Sequence, residues 1–326
     1  MRIRPDAAAA ARDQSAVEAL VRDTLRRALP DSVPVPTVDS RAHRDPRVVA
    51  LAHAVVRDEG PGPGCAAALL ATAAAEAPDH RWPVLAAPAP HLRQSLRRVL
   101  AAAPPCDGGS DRPTALVDWR PEDQVRITAA IRLLDRRWPR MLDEIRAVTV
   151  ALALLEGPAV DGCTDFRVHG TVLLNRRRLH DSARGMPGTV RCAEALVYEG
   201  AHNRCNAAAV GTPFLRPSSD EGPPADAPLR AGSPPLDGLV RHLVALVRCA
   251  QFYRRMLDAA DAPNAADADA VPAAVRDRYG SLRHQAVQAA AALETQRTRL
   301  TEPGAAVLDE AHAALAAPPH GPVVRR

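Results

Sequence analysis

Apolar residues recur at helical spacing along most of the chain, and prolines and glycines mark where each run stops. Val17, Leu20, Val21 and Leu25 line one face among charges, which predicts an amphipathic helix over 12–29 ending before Pro30. Similar patterns predict helices over about 46–58, 64–77 and 90–103, separated by stretches such as EGPGPG and APAP. The segment APPCDGGSDRP at 103–113 neither propagates a helix nor packs a core, so it reads as a linker. It divides a helical N-terminal region, 1–110, from a second region, 111–326.

Beyond that linker the pattern predicts a helix over 121–145 and two short apolar runs, Ala147 to Leu155 and Val168 to Leu174, fit to pair as strands. TVRCAEALVYEGAHNRCNAAA lacks proline and has strong helical bias apart from Gly200, which makes it the central helix. GTPFLRPSSDEGPPADAPLRAGSPP at 211–235 is too long for a simple turn and reads as a site-covering or partly ordered loop. A long helix, LDGLVRHLVALVRCAQFYRRMLD, follows, then another over about 272–300, a short helical segment and a frayed end. The expected fold is mainly α with a small β-hairpin or sheet: a helical N-terminal lobe and a helical C-terminal lobe.

Composition removes several chemistries. All 42 basic side chains are arginine, so a lysine-dependent P-loop, a pyridoxal-phosphate Schiff base and a Ser-Lys dyad are excluded. The net charge is only +4 with both signs interspersed, and Trp, Tyr and Phe number three each, too few for a stacking groove, so no nucleic-acid partner is expected. No run approaches the roughly 18 apolar residues of a membrane span and no leader precedes the first helix, which points to a cytoplasmic protein with no membrane partner. Six scattered cysteines without a CxxC pair indicate neither a zinc knuckle nor a disulfide framework.

The chemistry concentrates in AEALVYEGAHNRCN, where Glu199 and His202 occupy the E and second H of an HExxH pattern and Tyr198 stands where the first H would be. In the intact motif, two histidines at i and i+4 share a helix face and bind a metal while the glutamate orients or deprotonates water. The ~100° helical step places Tyr198, His202 and Cys205 in a narrow sector with Glu194 beside them and Glu199 flanking. On the later helix His242 shares a face with Gly238, Ala245 and Cys249, small residues that admit a close neighbour and suit either a ligand or a buried structural histidine. Cys205 reads as a soft ligand or as packing, and His169 and His180 as structural or solvated. The stripe Arg241, Arg248, Arg255 reads as the wet face of its helix.

From 145 to 258 the order of features is GTVLLN closing the strand pair, the AEALV lead-in to the motif, a variable loop, PLR, then PLDGLVRHLVALVRCAQFYRRM. In this order the chain resembles the HExxH-motif peptide-modification proteins associated with ribosomally synthesised peptides. Some members of that family are iron(II)- and α-ketoglutarate-dependent peptide β-hydroxylases. The resemblance implies iron held by His202 and a later histidine, His242, unless the register places Arg241 there instead. It implies Arg230 as the guanidinium for a cofactor carboxylate, and Glu199 and Tyr198 as the catalytic positions. The implied activity is hydroxylation of a ribosomally made precursor peptide. The alternatives are a non-catalytic relative that binds such a peptide or a partner modification enzyme, and a zinc hydrolase.

Overall fold

The computed structural model describes residues 1–37, 41–76, 82–102, 113–217, 235–260 and 273–316. Helices dominate, and they start where the local chemistry predicts. Helix α1, Ala7–Ala28, is capped by Asp6, whose carboxylate accepts from the Ala9 amide at 2.9 Å, and it carries Arg26 and Arg27 at its carbonyl end. Its buried face is Ala10, Gln14, Val17, Val21, Thr24 and Leu25. Helices α2 (Pro46–Val55), α3 (Pro63–Ala75) and α4 (Pro90–Ala102) each begin on a proline, whose missing N–H costs nothing in a first turn.

The helix expected over 121–145 is two: α5, Pro121–Arg137, and α6, Pro139–Val148. Pro139 cannot donate to the preceding turn, and Trp138 leaves helical geometry at φ −154°, ψ 65° to accommodate it. Helix α6 runs to Val148, so the first apolar run yields a strand only from Ala151.

The apolar runs form a sheet. Strand β1 is Val84–Ala86, β2 Ala115–Val117, β3 Ala151–Glu156, β4 Gly162–Cys163 and β5 Thr171–Asn175. β3 and β5 pair in parallel, Ala151 opposite Thr171, so they form no hairpin. On the other side of β3, β1 lies parallel along Ala151–Ala153 and β2 antiparallel along Leu154–Glu156, while β4 closes the far edge against β5. β5 is buried throughout and β3 nearly so, which explains why both read as continuous apolar runs. The expectation of mainly α with a small sheet is met.

Helix α7, Gly188–Gly211, is the centre of the molecule, enclosed by α1, α5, α6 and α8 (Pro235–Ala260). Helices α9 (Ala273–Glu294) and α10 (Glu302–Ala316) pack on α8. The N-terminal residues contribute to this body directly: α1 lies on α6 and α7, and β1 is a strand of the sheet. The linker expected at 103–113 lies, but for Pro113, outside the described residues, as do 218–234 of the expected loop and the last ten positions.

At Gly200 α7 lies close against α6: a Cβ there would lie 2.7 Å from Ile145 Cγ1. That atom belongs to a buried β-branched residue that cannot swing away. Gly200→Ala is expected to lower stability by about 1–3 kcal/mol through overpacking despite alanine's better helix propensity. A urea midpoint at or above that of the native protein would refute the close contact.

The arginine stripe of α8 is a wet face only in part: Arg255 is exposed, Arg241 half-buried and Arg248 enclosed. Arg248 is 0% exposed: Nη1 donates to Glu144 Oε1 at 2.5 Å, Nε to the Ile3 carbonyl at 3.1 Å and Nη2 to the Arg2 carbonyl at 3.0 Å. Glu144 also accepts the Asp6 amide at 2.7 Å and lies 3.8 Å from Arg204, itself paired with Asp13 at 2.5 Å. Arg241 is half-buried against Asp237 and Asn206, and the Arg255 guanidinium stacks 4.8 Å from the Trp138 ring centroid. Periodicity identified the stripe; it could not show that the partners lie on α6 and in the first residues of the chain.

Candidate functional site

Helical geometry brings Tyr198 and His202 together on α7, with ring centroids 4.7 Å apart, and α8 lays His242 against the same face. The Tyr198 hydroxyl and His242 Nδ1 are 2.7 Å apart. Burial raises the Tyr198 pKa, helped by the charge of Glu199, and burial lowers that of His242. Both groups are therefore neutral near pH 7, and the tautomer with its proton on Nε2 lets the phenol donate to Nδ1.

Glu199 points the other way, toward β4. Gly162 leaves room for it, for a Cβ there would lie 3.1 Å from Glu199 Oε1. Burial pushes the Glu199 carboxyl up to about 8, against a hydrogen bond from Thr164 and the positive charge of Arg178. His202 is pushed down to about 3 by burial, then by Arg241 and His242. The two approach only to 3.8 Å between His202 Nδ1 and Glu199 Oε2, beyond hydrogen-bond reach. Glu199 Oε2 and His202 Nε2 are buried atoms with no hydrogen-bond partner among the described residues.

One turn before Tyr198, Glu194 accepts the Tyr253 hydroxyl at 2.7 Å and pairs with Arg178 at 3.2 Å and with Arg278. This buried carboxylate is fully engaged and fixes α7 against α8 and α9. The Cys205 thiol is pushed up to about 12 by burial, so it packs as a small apolar group and not as a thiolate ligand. His169 is buried and bonded to Gln14 at 2.9 Å, and His180 is exposed, 2.9 Å from an Arg126 nitrogen. Arg230 lies outside the described residues.

Of the residues singled out from sequence, Tyr198, His202 and His242 thus converge and Glu199 sits behind them. The contributions of Gly162 and Thr164 have no sequence signal, since they arrive from β4 and the residue after it, more than thirty positions upstream. Tyr198 engages His242 at Nδ1 only, and among the described residues no three His, Cys, Asp or Glu side chains are grouped to hold a metal. Among the same residues, no helix is long and apolar enough to cross a membrane. No protein-family model matches the sequence, and no curated protein matches it significantly.

Proposed function

We propose that this protein is a metal-independent relative of the HExxH peptide-modification proteins that binds a ribosomally made precursor peptide. The resemblance over 145–258 supplies the ligand class. The observation that carries the metal-independent reading is the 2.7 Å bond between Tyr198 and His242. A histidine at 198 would offer a second lone pair beside His202. The phenol offers instead a donor to His242, and burial opposes its conversion to the phenolate that would ligate a metal.

A specific observation favours the hydroxylase reading as a second possibility. Glu199 Oε2 and His202 Nε2 are buried without partners, a costly state that a bound ion or water would relieve. The two readings separate on iron content after anaerobic loading with iron(II). On the first, the wild type retains far less than one iron per chain, and Tyr198→His, which frees His242 and restores the first ligand, raises retention toward about one. About one iron in the wild type, lost in both His202→Ala and His242→Ala, would overturn the first reading in favour of the hydroxylase.

A further inference from the structure

A groove of about 530 Å³ runs along β1, between it and the ends of α2, α3 and α4, within the size range of ligand sites. β1 is the last strand on its side beside Ala151–Ala153 among the described residues. The Val84 amide donates to the Val150 carbonyl at 3.0 Å, so Val84 and Ala86 direct their polar groups toward β3. By the alternation of a parallel ladder, the N–H and C=O of Leu85 point away from β3 and into the groove. An edge of this kind is a template for another strand.

The side chains along the groove add two further demands. Trp82, Ala87, Ala89 and Val84, which is 39% exposed, give it an apolar wall. Four arginines, at 41, 44, 47 and 146, line it against two carboxylates, Asp45 and Glu76, and His91 is pushed down to about 4 by burial and so is neutral. Both carboxylates are already engaged by Arg47, at 2.6 and 2.9 Å. Arg146 leans over the Trp82 ring at 5.4 Å, and its pairing with Asp143, at 3.5 Å, is solvent-exposed and weak. Arg44 is paired with Glu18 at 3.4 Å, so among the described residues the surplus of charge is positive, carried by Arg41 and Arg146.

We infer that this groove binds an acidic peptide in extended conformation, added as a strand to the β1 edge at Leu85 with its carboxylates on Arg41 and Arg146. Main-chain bonds supply affinity in such an arrangement, and alternate side chains supply selectivity. The floor of the groove reaches the motif helix: Thr149 accepts from the Asn203 side chain at 3.3 Å, one residue after His202. The inference rests on the peptide-binding reading for its ligand class, but its geometry is independent of whether iron binds.

The test is fluorescence anisotropy on the full chain in the presence of chelator. The probe is a labelled pool of ten-residue peptides with glutamate at alternate positions and uncharged residues elsewhere. The acidic pool is expected to bind, and a pool with lysine at the same positions to bind at least about tenfold more weakly. N-methylation of the peptide backbone, and Arg41→Glu with Arg146→Glu in the protein, are each expected to weaken binding by a similar factor. Equal affinity for the lysine pool, indifference to N-methylation, or no binding of the acidic pool would each overturn the inference. The affinity for the acidic pool should be the same in chelator and after anaerobic loading with iron(II), so failure of the groove and failure of the metal-independent reading give different patterns.

Discussion

Replacing Glu144 with alanine is expected to lower the unfolding free energy by about 3–5 kcal/mol, a large fraction of the roughly 5–15 kcal/mol that holds a domain together. Glu144 is the buried anion between Arg248, which is completely enclosed, and Arg204. Its loss would leave the Arg248 guanidinium with only the Arg2 and Ile3 carbonyls, and would strand the amide of Asp6, the residue whose carboxylate caps α1. A buried cation without its counter-charge is costly even when carbonyls solvate it. The paired replacement Glu144→Leu with Arg248→Met removes both charges and should recover most of the loss. Guanidinium unfolding of the three proteins decides the matter: a single-variant loss below about 1 kcal/mol would mean that water reaches the cluster.

The second large effect is on pH dependence. Burial holds Glu199 at about 8 in the folded protein against an ordinary 4.5. Between those values the folded state carries a proton that the unfolded state has released, so unfolding is favoured as pH rises, with a slope of up to about 1.4 kcal/mol per pH unit. Glu18, also raised by burial, acts in the same direction. Four histidines act oppositely. His91 is held at about 4, and His169 and His202 at about 3, all below an ordinary 6.5, and burial lowers His242 as well. Their contribution is complete above pH 6.5 and is lost as pH falls. Four protons outweigh two on the acid side, and of these groups the carboxyls act alone above 6.5, so stability should peak near pH 6.5. Glu199→Gln should flatten the alkaline decline and be about 2–4 kcal/mol more stable than wild type at pH 8.5, the gap closing by pH 5. Parallel profiles for the two proteins from pH 5 to 9 would show that Glu199 ionises normally.

Much of this organisation was legible in the sequence. The heads of α2, α3 and α4 follow from proline and helical periodicity, and the shared face of Tyr198 and His202 follows from a four-residue spacing. What local pattern could not reveal was partnership over long separations. Arg248 looked like a solvated residue because its stripe has helical spacing, but its counter-charge lies 104 positions away. The two apolar runs after α6 were equally consistent with a hairpin or a sheet. The parallel pairing became evident only with β1, which comes from the other side of the expected linker. At the candidate site, the substitution of Tyr198 suggested altered metal chemistry. That its hydroxyl meets His242, the residue proposed as a further ligand, depends on how α7 and α8 cross, which no spacing encodes.

The amide of Ile3 donates to Glu310 on α10 at 2.8 Å, across 307 positions, and Arg248 grips the carbonyls of Arg2 and Ile3. A chain made from its N-terminus at roughly 5–20 residues per second must therefore wait on the order of 15–60 s before its third residue can meet its last contact. Until α6 and α7 emerge, the inner face of α1, with Val17, Val21 and Leu25, has only its early neighbours such as α2 to cover it. The ionic cluster that holds Arg2 and Ile3 cannot close until Arg248 has been made, so the inner face of α1 is completed late in synthesis.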